Sequence, residues 1–220
     1  MNTSLSQETL DAARLLGAAT LHEAAGKLGA LPSAIKPMDP RWRVAAPAFT
    51  VAGPAIDNLW LHRAIYMAPK GAILIHECGG AAEAGYWGGV MTAAAIARGL
   101  AAFVTEGGVR DVSELRAMEF PVFAANTCIR GTSKRADGTG SMGTAVRIGD
   151  VFVSTGDLVV ADADGVVVIP SADALRVIAL GAEREKEERE IIDRLRDGER
   201  TLDIYRLPEL EPREAKWQTS

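Results

Sequence analysis

Between Gly85 and Glu114 the chain reads GYWGGVMTAAAIARGLAAFVTEGGVRDVSE, an alanine-rich helical stretch and a short apolar strand with a glycine-rich turn at each end. A βα unit of this kind belongs to a layered sheet-and-helix core. Both turns expose backbone groups that a ligand can approach. The second turn ends in Arg110, Asp111 and Glu114, an anion-binding side chain followed by two carboxylates about one helical turn apart. That combination points to a metal ion and an organic acid.

The remaining elements fit the same layered plan. Ser6 to Gly17 reads as a first helix ended by Gly17, and Ala19 to Leu28 as a second that Thr20 can cap. Arg43 to Ile56 alternates and is interrupted by prolines, as expected of a strand with an irregular end. A helical stretch over Leu59 to Met67 precedes a short buried strand, Ala72 to His76. Gly89 to Arg98 is a helix closed by Gly99, Leu100 to Thr105 a strand, and Gly107-Gly108 a turn. Asp111 to Met118 is a further helix and Pro121 to Ala124 a further strand. From Gly143 onward, short β runs separated by Gly and Asp turns predict antiparallel hairpins. The polar loop NTCIRGTSKRADGTGS before them suits an active site or an interface. Ser171 to Arg196 is a charged helix that is either solvated or laid against another subunit. Residues 1–170 therefore read as one layered α/β domain, and residues 171–220 as a C-terminal helical extension, solvated or laid against another subunit.

Composition narrows the partners. A chain of 220 residues with 48% apolar and 24% charged side chains can bury a full globular core. Its net charge of −5 argues against a nucleic-acid or anionic-membrane surface. No segment approaches the roughly 18 consecutive apolar residues of a membrane span. The first ten residues are too polar for a signal peptide, so a cytoplasmic location is expected. Cys78 and Cys128 lack metal-type spacing and read as two buried thiols.

Within the two turns, the guanidinium of Arg110 suits bidentate capture of a carboxylate, and Asp111 offers hard oxygen ligands. The N-terminus of the Gly89 helix adds free N–H groups at Gly88, Gly89, Val90 and Met91 for a carboxylate or oxyanion. The same local pattern, Asp111-Val112-Ser113-Glu114, also reads as a helix N-cap close to a capping box. His22, His62 and His76 are scattered and read as structural, while His76-Glu77-Cys78 ends an apolar strand near the pocket. Trp87 reads as packing beside the turn.

Several motifs together resemble one known family. They are Ala19-Thr20-Leu21-His22-Glu23-Ala24, Val51-Ala52-Gly53-Pro54-Ala55 with Asp57-Asn58-Leu59, Tyr86-Trp87-Gly88, Ala97-Arg98-Gly99, Gly108-Val109-Arg110-Asp111-Val112, and Thr155-Gly156-Asp157-Leu158-Val159-Val160-Ala161-Asp162 with Asp164-Gly165-Val166. From about residue 19 to 170 the chain resembles the RraA-like family, which holds 4-hydroxy-4-methyl-2-oxoglutarate and 4-carboxy-4-hydroxy-2-oxoadipate aldolases and RraA-type regulators of ribonuclease E. The resemblance implies a swivelling β/β/α (phosphohistidine-domain-like) fold, a homotrimer or homohexamer, and a site between subunits. It implies that Arg110 binds substrate carboxylate, that Asp111 holds Mg²⁺ or Mn²⁺ largely through waters, and that the backbone of Gly88, Gly89, Val90 and Met91 binds pyruvate. A glutamate from a neighbour's C-terminal helix also contributes, with Glu185, Glu187, Glu188 and Glu190 as the candidates.

One departure stands out: the aldolases carry an acidic residue after the Trp-Gly pair, where this chain has Gly89. The function implied is a class II, divalent-metal-dependent lyase cleaving a short 2-oxo diacid to release pyruvate, with oxaloacetate decarboxylation open to the same site. The alternative is a non-catalytic RraA-type regulator that binds a partner enzyme; the regulators lack the Arg-Asp pair. A Schiff-base mechanism is disfavoured, because no lysine lies in an apolar context.

Overall fold

Helix α1 (Gln7–Ala24) opens the computed structural model, which describes residues 5–209. Ser6 caps its first turn by accepting from the Thr9 N–H at 3.1 Å. Gly17 interrupts the helix at φ 82°, a left-handed value that a residue with a Cβ adopts only under strain. At this kink the buried Asp162 carboxylate accepts from the Ala18 N–H at 2.8 Å. The expected break at Gly17 is present. The second segment stops at Ala24, however, rather than Leu28, and its capping acceptor is Asp162 and not Thr20.

The sheet is assembled around a central strand. β1 (Lys36–Pro37) is short, and β2 (Val44–Ala52) alternates buried with half-buried residues. Helix α2 (Leu59–Met67) leads to β3 (Ile73–Glu77), which pairs in parallel with β2. β4 (Gly85–Trp87), α3 (Gly89–Arg98) and β5 (Ala102–Val109) follow, and then α4 (Val112–Ala117) and β6 (Val122–Thr127). β5 is parallel to β3, β4 and β6. After β7 (Ser141–Met142) the chain forms two antiparallel hairpins, β8 (Val146–Ile148) with β9 (Val151–Val153) and β10 (Leu158–Ala161) with β11 (Val166–Ile169).

β10 docks antiparallel on β2, giving the order β1-β6-β5-β3-β2-β10-β11. Residues 29–31 exchange backbone hydrogen bonds with β11, and β1 just beyond them pairs with β6, so this short run nearly closes the sheet. The result is the swivelling β/β/α arrangement.

Gly107 and Gly108 were expected to turn the chain but lie inside β5. Their lack of side chains serves close packing. A Cβ on Gly107 would meet the Tyr86 ring at 2.7 Å, and one on Gly108 would meet the Ala84 carbonyl oxygen at 2.7 Å. The pairing of β5 with β6 shifts register between Thr105 and Gly108, which re-aims the strand end. Tyr86, Trp87, Phe103 and Phe123 are fully buried, with Trp87 stacked on Phe103 at 4.1 Å between ring centroids. Trp87 is thus packing, as expected, and its indole N–H donates to Thr92 Oγ1 at 2.7 Å.

The described residues divide into two units at the Gly181/Ala182 junction, within α5 (Ala174–Arg196). In the second unit α5 carries i,i+4 pairs, Arg184 with Glu188 at 3.0 Å and Arg189 with Glu185 at 3.5 Å, and α6 (Thr201–Ile204) follows. Among the described residues no helix is long and apolar enough to cross a membrane.

His76 sits at 1% exposure between Tyr86 and Phe103, with Nδ1 2.9 Å from Thr105 Oγ1. Burial without an anionic partner pushes its pKa down to about 3. The unfolded chain therefore takes up a proton that the native state refuses, and stability falls as pH drops below 6.5 toward about 3. Denaturant unfolding across that range should show this acid slope in the wild type and a shallower slope in His76→Phe.

Candidate active site

The two glycine turns converge through one backbone hydrogen bond. The Arg110 N–H donates to the Trp87 carbonyl at 2.9 Å, which sets the end of β5 beside the start of α3. Gly88 is the N-cap of α3 with an extended backbone (φ −163°), and no side chain caps the helix locally. Instead Asp111 reaches across: its Oδ2 accepts from the Gly89 N–H at 3.1 Å. A Cβ on Gly88 would collide with that same carboxylate and come within 3.2 Å of Arg110 Cγ. Glycine at position 88 is what lets Asp111 lie on the helix end.

Asp111 does not cap its own helix. It occupies the N-cap position of α4 at φ 59°, ψ 35°, in the left-handed region, and makes no side-chain cap bond there. The expected Asp111–Glu114 capping box is therefore absent. Both side chains turn toward α3 instead, because the left-handed turn points the Asp111 carboxylate away from α4. A left-handed non-glycine residue costs roughly 1–2 kcal/mol, less for Asp than for most, and such strain gathers at functional sites. The Arg110 Nε lies 3.8 Å from Asp111 Oδ2 with its side chain 48% exposed, a loose pair that leaves the guanidinium fork open to another anion.

A cavity of about 230 Å³ lies between these groups. Its wall includes Tyr86 to Gly88, Val90, Met91, Arg110 and Asp111, so five of the six expected site residues meet there. The sixth, Gly89, is buried directly behind it. Of the expected N–H donors, Gly89 is already engaged by Asp111, and Thr92 is the first to bond within the helix, to Gly88 O. The N–H groups of Val90 and Met91 remain at the helix end for a ligand.

Three further cavity residues escaped the sequence reading: Asn58, His62 and Lys134. Asn58 is buried, donates from Nδ2 to Tyr86 O at 2.9 Å, and leaves its Oδ1 without a partner. Partial burial and the Lys134 charge lower the pKa of His62, so it lines the cavity as a neutral ring rather than serving only as a packed histidine. These residues come from α2 and from the polar loop, and only the fold brings them together. His76, Glu77 and Cys78 do not line this cavity. Burial and the Glu106 charge push the Cys78 thiol up to about 12, so it stays protonated. Cys128 is only half-buried and lines a groove on the other side of Arg110, which corrects its expected burial. Both cysteines are free.

Among the described residues no three His, Cys, Asp or Glu side chains converge as a metal cage. A carboxylate beside a cavity roomy enough for water fits a hard cation that keeps most of its hydration, such as Mg²⁺ or Mn²⁺. It does not fit zinc, which takes three or four direct protein ligands.

The sequence and the layered fold match proteins already known. Residues 9–168 match the RraA-like family, described as Aldolase/RraA, and the chain belongs to that family. A protein of Halalkalibacterium halodurans with the provisional name 4-hydroxy-4-methyl-2-oxoglutarate aldolase is 33% identical over 82% of this chain and 87% of its own length. An uncharacterized protein from Pseudomonas syringae pv. tomato superposes with a TM-score of 0.83 at 28% identity, over 94% of this chain and 96% of its own. The RNA-processing inhibitor RraA from Thermus thermophilis superposes at 0.62 with 26% identity, covering 69% of this chain and 91% of its own. The names of these relatives thus divide between an aldolase and an RNA-processing inhibitor.

The left-handed turn at Asp111 predicts an asymmetry between two truncations. Asp111→Gly should match or exceed wild-type stability, whereas Asp111→Ala should be less stable than Asp111→Gly by about 1 kcal/mol. Chemical denaturation of the two variants measures the difference, and equal stabilities would show that the turn is unstrained.

Proposed function

We propose that the protein is a divalent-metal-dependent carbon–carbon lyase that cleaves a short 4-hydroxy-2-oxo diacid and releases pyruvate. The observation carrying this reading is the placement of Asp111 on the N-terminus of α3 beside an Arg110 whose guanidinium is free to take another anion. The family membership and the provisional aldolase name of a relative at 33% identity support it.

The chain's own groups divide the work. Arg110 takes a substrate carboxylate through its planar fork, and the N–H groups of Val90 and Met91 take oxygen atoms of the 2-oxo acid end. Asp111 is the anchor for Mg²⁺ or Mn²⁺. The cation, when bound, supplies the positive charge that stabilises negative charge developing on the 2-oxo oxygen. Cleavage breaks the C3–C4 bond: the 4-hydroxyl loses its proton to water held at the Asp111 carboxylate and becomes a carbonyl. The electron pair passes to the 2-oxo acid fragment, and a proton returned to C3 completes pyruvate. Loss of carbon dioxide from oxaloacetate leaves the same electron pair in the same place, so decarboxylation is a second activity of this site.

The assembly follows the family reading. A homotrimer or homohexamer would bring a C-terminal glutamate to the site, and of the four candidates Glu185 and Glu188 already pair within their own helix. Glu187 and Glu190 are the better donors.

A coupled assay for pyruvate over a panel of 2-oxo diacids tests the proposal. Turnover should require Mg²⁺ or Mn²⁺ and vanish in EDTA. Arg110→Ala should cut kcat/KM by at least about 100-fold, the scale of one lost charge-assisted carboxylate contact. Full turnover in EDTA, or no pyruvate from any diacid, would overturn it.

A further inference from the structure

The polar loop after β6 reaches the cavity through one residue. Lys134 lines the cavity wall, close enough to His62 for its charge to depress the pKa of that ring. The other charged groups of the wall, Arg110 and Asp111, pair with each other. Among the described residues the Lys134 ammonium has no ion-pair partner, so the cavity holds one cation without a counter-ion.

Lys134 is exposed, and a lysine on a surface loop is ordinarily free to swing away. Here the start of α2 straps the loop down. Asp57 is 1% exposed, and its Oδ2 accepts from the Ser133 hydroxyl at 2.8 Å and from the Arg135 N–H at 2.6 Å. These are the two residues that flank Lys134. Its Oδ1 accepts from the Leu59 N–H at 2.9 Å, which ties the same carboxylate to the first turn of α2. Two backbone bonds run alongside, from the Ser133 N–H to Ile56 O at 2.8 Å and from the Asn58 N–H to Ser133 O at 3.1 Å. Further along the loop, the Trp60 indole N–H donates to Gly138 O at 3.0 Å.

Two features mark this clasp as built. Ile56 is β-branched yet sits at φ 57°, a left-handed conformation that such a residue keeps only where its surroundings impose it. Its N–H is held by the Tyr86 hydroxyl at 2.9 Å and its carbonyl by Ser133. Burial opposes charge on Asp57, but hydrogen bonds from Arg135, Leu59 and Ser133 outweigh it and hold the carboxyl below its ordinary pKa. The strap is therefore anchored on an ionised group with donors on both oxygens.

We propose that Lys134 takes the second carboxylate of the diacid, and that Asp57 is the positioning residue that keeps Lys134 at the cavity. This rests on the lyase reading for the substrate class. Arg110 and the free amides of Val90 and Met91 serve one carboxylate and the 2-oxo oxygen. A diacid brings a further carboxylate, and the unpaired ammonium supplies the charge it needs.

Calorimetric titration of the full-length protein in excess Mg²⁺ with 2-oxoglutarate and with 2-oxopentanoate tests the assignment. The two acids have equal chain lengths and differ in a terminal carboxylate against a methyl group. Neither has a 4-hydroxyl, so neither undergoes the proposed cleavage. The wild type should bind 2-oxoglutarate about 10- to 100-fold more tightly. Lys134→Ala should abolish that preference. Asp57→Asn, which sets an amide N–H against backbone donors, should lower it in the wild-type background and have no further effect in Lys134→Ala. Ser133→Ala, which removes one donor, should shift it the same way by less, and serves where Asp57→Asn does not fold. A merely structural role would weaken both acids alike.

A wild type without the preference, or a preference that survives in Lys134→Ala, would overturn the role of Lys134. An unchanged preference in both Asp57→Asn and Ser133→Ala would overturn that of Asp57. The expected preferences, with no pyruvate from any 4-hydroxy diacid, would remove the lyase reading and leave the dicarboxylate seat standing.

Discussion

The hydrogen bond from the Arg110 N–H to the Trp87 carbonyl joins two segments that would otherwise part after their strands end. β4 runs parallel to the last residues of β5, and its pairing partners are Gly108 and Val109. That pairing needs the Tyr86 ring to lie flat over Gly107, where no side chain can be tolerated. The aromatic stack of Trp87 on Phe103 then locks the turn to the sheet. From these contacts follow the direction of α3, the reach of Asp111 to its first amide, and the cavity beside Arg110. Burying a Trp or Phe in this way contributes about 1.5–3 kcal/mol per side chain, far more than the exposed Arg110–Asp111 pair. Packing positions the site, and the charged groups use the position.

Much of this was legible in the sequence because it obeys local rules. The alternation of helix and strand, the Gly99 helix end and the Gly-Asp hairpins all depend on residues within a few positions of one another. Gly107-Gly108 misled because a glycine pair reads the same whether it turns a chain or makes room for a ring from another strand. The capping-box reading failed for a related reason: Asp111 and Glu114 have the right spacing, but a left-handed turn at Asp111 redirects both carboxylates to a helix more than 20 residues upstream in the chain. Arg110, Asp111 and the Gly88–Met91 turn could be picked out because they are contiguous motifs. Asn58, His62 and Lys134 could not, since a lone polar residue on α2 or in a loop has no local pattern that says which cavity it lines.

The start of α3 is furnished with side chains from another element. At Gly88 and Gly89 the helix end is bare, and the groups that dress it arrive from α4. What matters to a bound cation or anion is where oxygen atoms lie, and the backbone element that brings them there is secondary. A small residue beside a site is in this sense a mould for something larger nearby.

The Asp162 carboxylate at the Gly17 kink has a consequence for how the chain is made. Its bond to the Ala18 N–H spans 144 residues, and the segment it holds packs on β10 and β11, themselves joined to β2 from the far end of the chain. The N-terminal helix thus emerges from the ribosome long before its capping acceptor has been synthesised. Until the last hairpin arrives, its apolar face has no sheet to cover, and loop-closure entropy favours leaving it loose. The contacts that hold α1 in place thus join residues far apart in the chain, and they can form only once the β10–β11 hairpin exists.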